Sequence, residues 1–199
     1  MRFISAWFIV SALSLSSSGW SADKGVILVL GDSLSAAYEM QLDESWPSLL
    51  QNRLTVDGYP YRVFNSSIVG DTTQGGLSRL PRLLADHDPQ VVIIELGGND
   101  GLRGLALEVP RSNLQSMIQL SMDSGARVVL AGIQLPPNYG KTYTGKFSAM
   151  YRELASEYDI QFIPFLLQGV ALDPALMRED GIHPNAAAQA TLLDTVWQA

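Results

Sequence analysis

The sequence contains no cysteine. That absence excludes disulfides, thiolate nucleophiles and cysteine-built zinc or iron–sulfur sites together. Histidine is nearly as scarce, with His87 and His183 the two examples. A metal site assembled from a histidine cluster is therefore not expected, and chemistry that needs an imidazole base has two candidates. Positive charge is short as well: 13 Lys and Arg stand against 20 Asp and Glu, a formal charge of −7. No basic stripe is present, so a phosphate-backbone partner is not expected and the chain is read as binding no nucleic acid. Neither a G-x-G-x-x-G fingerprint nor a P-loop occurs, which removes the nucleotide-binding reading that glycines after strands would otherwise suggest.

Only the first residues form a long apolar run. Arg2 gives a positive start, residues 3–15 are mostly apolar, and residues 16–22 are dominated by small side chains. The run is shorter than the roughly 20 residues of a spanning helix, and no cysteine is available for a lipid anchor. Residues 1–21 are expected to be a signal peptide cleaved near Ser21 or Ala22, with export to the periplasm or medium and no stable membrane span afterwards. Cleavage after Ser21 removes Arg2 and no acid, leaving a net charge of −8.

The rest, residues 22–199, reads as one globular domain, with 47% apolar and 17% charged residues across the chain and no repeat or linker. Val26-Ile27-Leu28-Val29-Leu30, Val91-Val92-Ile93-Ile94 and Val128-Val129-Leu130 are continuous apolar runs, the texture of strands buried on both faces. Tyr61-Arg62-Val63-Phe64 and Gln161-Phe162-Ile163-Pro164 are weaker strand candidates. Between them, helical stripes recur: Trp46, Leu49, Leu50 and Leu54; Leu77, Leu80, Leu83 and Leu84; Leu114, Met117, Ile118 and Met122; Phe147, Met150, Tyr151, Leu154 and Ala155. A last helix is expected over residues 186–197. Strict alternation of strand and helix argues for a three-layer α/β/α fold on a parallel sheet of about five strands.

In such a sheet ligands bind beyond the carboxyl ends of the strands. The segments placed there are Gly31-Asp32-Ser33-Leu34-Ser35, the stretch from Asn65 through Gly70 to Thr72, Gly97-Gly98-Asn99-Asp100, the stretch from Gln134 to Gly140, and Asp180-Gly181-Ile182-His183-Pro184. Each alone has a bland explanation as a turn or helix cap. Together they supply what a serine nucleophile needs: a base, an orienting carboxylate and donors for an oxyanion. Asp180 and His183 are close enough for one carboxylate to hold the imidazole while its other nitrogen faces Ser33. Pro184 stiffens the exit and Asn185 is placed to cap the last helix. His87, flanked by Asp86 and Asp88 at a helix end, falls on the opposite edge and reads as a solvated C-terminal residue. Expected oxyanion donors are the N–H groups of Ser33 and Gly70 and the side-chain amide of Asn99.

These blocks, in this order, resemble the SGNH/GDSL hydrolases: Ser33 in Gly31-Asp32-Ser33-Leu34, Gly70, Asn99 in Gly97-Gly98-Asn99-Asp100, and Asp180 with His183. The stretches 95–104 and 132–140 are similar to the thioesterase, protease and lysophospholipase subgroup of exported bacterial enzymes. The resemblance implies a flavodoxin-like fold, no cofactor, and hydrolysis of fatty acyl thioesters, lysophospholipids and aryl or short acyl esters, all small-molecule partners. A monomer is expected. Leu102, Leu105 and Leu107 on one side, with Ile133, Leu135, Pro136 and Tyr139 on the other, are the candidate walls of an acyl site, although Leu107 equally suits ordinary helix packing. Two alternatives stay open: a short-chain or carbohydrate O-acetylesterase or arylesterase on the same fold, and a non-catalytic lipid-binding protein.

Overall fold

Each of the five strand candidates becomes a strand. The computed structural model describes residues 25–199; the leader expected over residues 1–21 lies outside the described residues. The strands are β1 (Gly25–Gly31), β2 (Tyr61–Asn65), β3 (Val91–Glu95), β4 (Arg127–Ala131) and β5 (Gln161–Ile163), all parallel in the order β2-β1-β3-β4-β5. This is the doubly wound order whose direction of winding reverses between β1 and β3, the place where such sheets present ligands.

Helices cover both faces: α1 (Trp46–Val56), α2 (Thr73–His87), α3 (Gly98–Leu102), α4 (Glu108–Asp123), α5 (Lys141–Glu157) and α6 (Gln189–Trp197). Alternation along a strand decides which residue meets which layer. On β1, Leu28 and Leu30 point to the layer holding Leu80, Leu114, Met117 and Phe147 from α2, α4 and α5. Ile27 and Val29 point to the other layer, with Trp46, Leu50 and Leu54 of α1 and Leu192 and Val196 of α6. Fully burying one such side chain contributes about 1.5–3 kcal/mol. These two layers are why the continuous apolar runs show no polar alternation.

Some expectations shift at element ends. The last helix begins as a 3₁₀ turn over Ala186–Ala188 before α6. Asn185 does not cap it; its amide donates instead to the Ala175 carbonyl at 2.8 Å. Met122 sits in the last turn of α4, past the core, and is 41% exposed. His87 ends α2 as expected, but it is half-buried and its ring lies 3.7 Å from that of Phe64.

Candidate active site

The carboxyl ends of β1 and β3 lie side by side, with Gly31 in register with Glu95. Beyond β1 the chain turns sharply, the Ser35 N–H returning to the Asp32 carbonyl at 3.2 Å, and this turn carries Ser33. Beyond β3, Gly97 adopts φ +115°, which swings the chain into α3 and presents Asn99. A Cβ at Gly97 would sit 2.2 Å from the Tyr151 hydroxyl, so both the backbone angle and the space require glycine here.

Ser33, His183 and Asp180 form one line of hydrogen bonds. His183 Nε2 lies 2.9 Å from Ser33 Oγ, and its Nδ1 lies 2.7 Å from Asp180 Oδ2. The second Asp180 oxygen, Oδ1, accepts the backbone N–H groups of Ile182 and His183, each at 2.9 Å. Burial acts to raise the Asp180 pKa, but the His183 N–H, its ring and the Ile182 N–H outweigh it and hold the carboxyl at about 2. Asp180 is thus a carboxylate throughout the neutral range, fit to fix the imidazole tautomer that leaves Nε2 as proton acceptor. His87 lies at the C-terminal end of α2, just ahead of β3, and plays no part in this line.

Of the three expected oxyanion donors, Ser33 and Asn99 line the cleft at this turn, and Gly70 is not among the lining residues. Neither the Ser33 N–H nor the Gly70 N–H donates to a protein acceptor among the described residues. Gly70 has φ +76°, its carbonyl accepting from Arg103 Nη2 at 3.3 Å. The Asn99 amide nitrogen is occupied twice, donating to Asp32 Oδ2 at 3.0 Å and to the Asp71 carbonyl at 2.9 Å. An oxyanion would share or displace one of these partners.

Behind the turn lie two buried carboxyl groups that sequence reading did not single out. Asp32 is 2% exposed and Glu95 is fully buried. Glu95 Oε2 accepts from the Ser35 hydroxyl at 2.8 Å and the Asp32 N–H at 3.3 Å. Burial pushes Asp32 up to about 6, against the pull of the Leu34 N–H, the Asn99 amide and the His183 charge. Burial, reinforced by the nearby Asp32 charge, drives Glu95 well above the carboxylate range and toward its neutral form. The only sequence signal for them was position: each ends or directly follows a buried strand.

A cleft of about 690 Å³ opens at Ser33 and His183. Of the expected wall residues, Leu102, Ile133, Leu135 and Pro136 line it. Leu105, Leu107 and Tyr139 do not. The Tyr139 hydroxyl donates to the Leu102 carbonyl at 3.0 Å, bracing the wall from behind, and the Tyr143 hydroxyl does the same to Leu105 at 2.8 Å. Leu107 packs against the core, as ordinary helix packing required. Missing from the sequence reading is the opposite wall, made by Phe165, Leu166, Leu167, Ala171, Leu172 and Met177 from the connection between β5 and α6. No group of three or more His, Cys, Asp or Glu placed to hold a metal ion occurs among the described residues.

Comparison with known proteins agrees with this layout. The model of the GDSL-like Lipase/Acylhydrolase family matches residues 29–191. Esterase TesA of Pseudomonas aeruginosa is 52% identical over 171 residues, covering 86% of this chain and 85% of its own. Thioesterase 1/protease 1/lysophospholipase L1 of Escherichia coli (strain K12) is 44% identical over 179 residues, 90% of this chain and 84% of its own. A crystal structure of TesA superposes with a TM-score of 0.85 at 51% identity, covering 87% of this chain and 96% of that one. With Ser33 in the turn at the end of β1, the Asp180–His183 pair before the last helix and these relatives across most of its length, the chain belongs to the GDSL-like lipase/acylhydrolase family.

Proposed function

We propose that this protein hydrolyses acyl esters and thioesters through an acyl-enzyme on Ser33, with His183 as general base and acid and Asp180 as its orienting carboxylate. The observation that carries the reading is the Ser33–His183–Asp180 line, at 2.9 and 2.7 Å, at the mouth of an apolar cleft. Ser33 Oγ attacks the acyl carbonyl while its proton passes to His183 Nε2. The oxyanion takes hydrogen bonds from the Ser33 and Gly70 N–H groups and the Asn99 amide. Collapse breaks the bond to the alcohol or thiol, which leaves with the proton from His183. Water, deprotonated by the same ring, then releases the carboxylic acid and restores Ser33.

The acyl part is assigned to the cleft, whose Leu, Ile, Pro and Phe side chains suit a hydrocarbon chain at about 0.8 kcal/mol for each CH₂ buried. The names of the esterase and thioesterase relatives support the same class, and lysophospholipids, fatty acyl thioesters and aryl esters are its proposed members. Among the described residues no helix is long and apolar enough to cross a membrane. The leader pattern of residues 1–21 supports export, so an extracytoplasmic lysophospholipid suits the enzyme better than acyl-CoA. N-terminal sequencing of the protein from a periplasmic fraction tests this, and an uncleaved cytoplasmic product would remove the basis for it.

The test of activity is hydrolysis of p-nitrophenyl esters from acetate to palmitate, with and without Ser33→Ala. Turnover that favours medium or long chains and is lost with Ser33 supports the proposal. Turnover of acetate alone favours a small-ester hydrolase, and turnover that survives the substitution refutes the assignment of Ser33.

A further inference from the structure

The base of the proposed triad makes one aromatic contact that the mechanism leaves unused. The Tyr38 ring lies against the His183 imidazole, centroids 4.4 Å apart and planes inclined by 38°. Tyr38 stands on the segment leaving the nucleophile turn, between Ala37 at φ +55° and Glu39 at φ +51°. Two non-glycine residues in the left-handed region persist only where their surroundings hold them, and such strain gathers at functional sites.

The Met40 N–H closes a turn on the Ala37 carbonyl at 3.2 Å, and Arg178 holds the segment at Glu39. Its guanidinium pairs with the Glu39 carboxylate, donates to the Glu39 carbonyl at 3.4 Å, and lies 5.9 Å from the centre of the Tyr38 ring. Arg178 belongs to the segment that carries the acid–base pair: its own N–H donates to the His183 carbonyl at 2.8 Å, and neighbouring Met177 pairs with Pro184. The chain bearing the nucleophile and the chain bearing the base are thereby fastened beside the Ser33–His183 hydrogen bond. Tyr38 is absent from the lining of the substrate cleft.

We propose that Tyr38, locked by the Glu39–Arg178 pair, is a positioning residue that sets the orientation of His183 toward Ser33. The inference rests on the triad reading given above. The groups facing the imidazole are then Ser33 at Nε2, Asp180 at Nδ1 and the Tyr38 ring on its face. The aromatic face blocks rotation out of line and favours the cationic ring that forms as Ser33 gives up its proton. Contact with the ring, not the hydroxyl, performs this role, so phenylalanine should substitute for it.

Steady-state hydrolysis of p-nitrophenyl octanoate is compared for the wild type, Tyr38→Phe, Tyr38→Leu, Arg178→Met and Ser33→Ala, beside thermal melting of each. Misplacing a catalytic group by an ångström costs on the order of a hundredfold. Tyr38→Leu is therefore expected to lower kcat about 10- to 100-fold with KM within about twofold, and Tyr38→Phe to restore kcat to within about twofold of wild type. Arg178→Met loosens the lock from outside and should lower kcat about two- to fivefold, the scale of an exposed ion pair. If Tyr38→Leu does not fold, the Phe and Met variants still decide. An unchanged kcat in Tyr38→Leu, a change confined to KM, or a loss as large in Tyr38→Phe overturns the inference. So does an unchanged kcat in Arg178→Met when Tyr38→Leu cannot be measured. Activity retained by Ser33→Ala refutes the triad reading instead, an outcome distinct from all of these.

Discussion

Asn99 reaches across the ends of two strands to Asp32, its amide nitrogen 3.0 Å from a carboxylate oxygen that is almost wholly buried. The amide proposed to receive the oxyanion is thus aimed by the residue immediately before the nucleophile. The second amide hydrogen goes to the Asp71 carbonyl, so the group is held from two sides before any substrate arrives.

The two residues should therefore behave as one device. Asn99→Ala is expected to lower kcat by about 10²–10³, the cost of one oxyanion donor. Asp32→Asn exchanges a charge-assisted acceptor for a neutral one and should cost about tenfold. The double variant should fall no further than Asn99→Ala, because Asp32 acts through the amide. Kinetics on one p-nitrophenyl ester closes the cycle, and additive losses would separate the two roles.

Stability should fall as pH rises from about 4 toward 7. Asp32 is raised to about 6 by burial and Glu95 is raised further, so the folded state holds their protons more tightly than the unfolded chain does. That contribution is complete below the ordinary carboxylate range and is lost as pH climbs through the folded-state value. At about 1.4 kcal/mol per pH unit, Asp32 alone accounts for a loss on the order of 3 kcal/mol. Asp180, held at about 2, acts oppositely and only in stronger acid. Urea unfolding at pH 4.5, 6 and 7.5 measures the slope. Glu95→Gln should flatten it, and parallel curves for the two proteins would exclude Glu95 as a source.

Chain-length preference should respond to the wall that α3 contributes. Leu102→Trp projects an indole into the cleft and should lower kcat/KM for laurate and palmitate esters about tenfold relative to butyrate, since each displaced CH₂ forfeits about 0.8 kcal/mol. An equal loss on every chain length would place the acyl group elsewhere.

Gly97→Ala should destabilise the fold and not merely slow the enzyme. The new methyl would meet the Tyr151 hydroxyl, itself donating to the Leu96 carbonyl at 2.9 Å, and the backbone angle of +115° disfavours any side chain. A loss of roughly 3 kcal/mol is expected, combining left-handed strain of 1–2 kcal/mol with overpacking of similar size. Denaturant midpoints measure it, and a midpoint unchanged from wild type would mean that Tyr151 moves aside freely.

How much of this was legible beforehand depended on the range of the interaction. The strands were readable because β1, β3 and β4 are buried on both faces and carry unbroken apolar runs, Val26–Leu30, Val91–Ile94 and Val128–Leu130. Asp180 and His183 were readable because three residues of separation suffice to join them. The Phe165–Met177 wall, the Asp32–Glu95 pair and the Tyr38–His183 contact were not, because each depends on which loops the sheet order brings together. Tyr139 illustrates the limit most simply. The sequence makes it a wall residue of the acyl site, but the fold leaves it out of the cleft lining with its hydroxyl turned back to Leu102.

The two oxygens of Asp180 divide their labour, one holding the backbone of the turn and the other holding the imidazole of the same turn. The hydrogen bonds that join the proposed base to its orienting carboxylate are therefore a local structure, written within four consecutive positions, while Ser33 and Tyr38 reach the same imidazole from far along the chain. Insertions and deletions in the connection from β5 that stop short of Asp180 leave the hydrogen bonds of the pair in place and move it as a unit relative to Ser33. Asp180 and His183 thus form a self-contained unit of the proposed triad, and the neighbouring wall from Phe165 to Leu172 can change in sequence without altering the bonds within that unit.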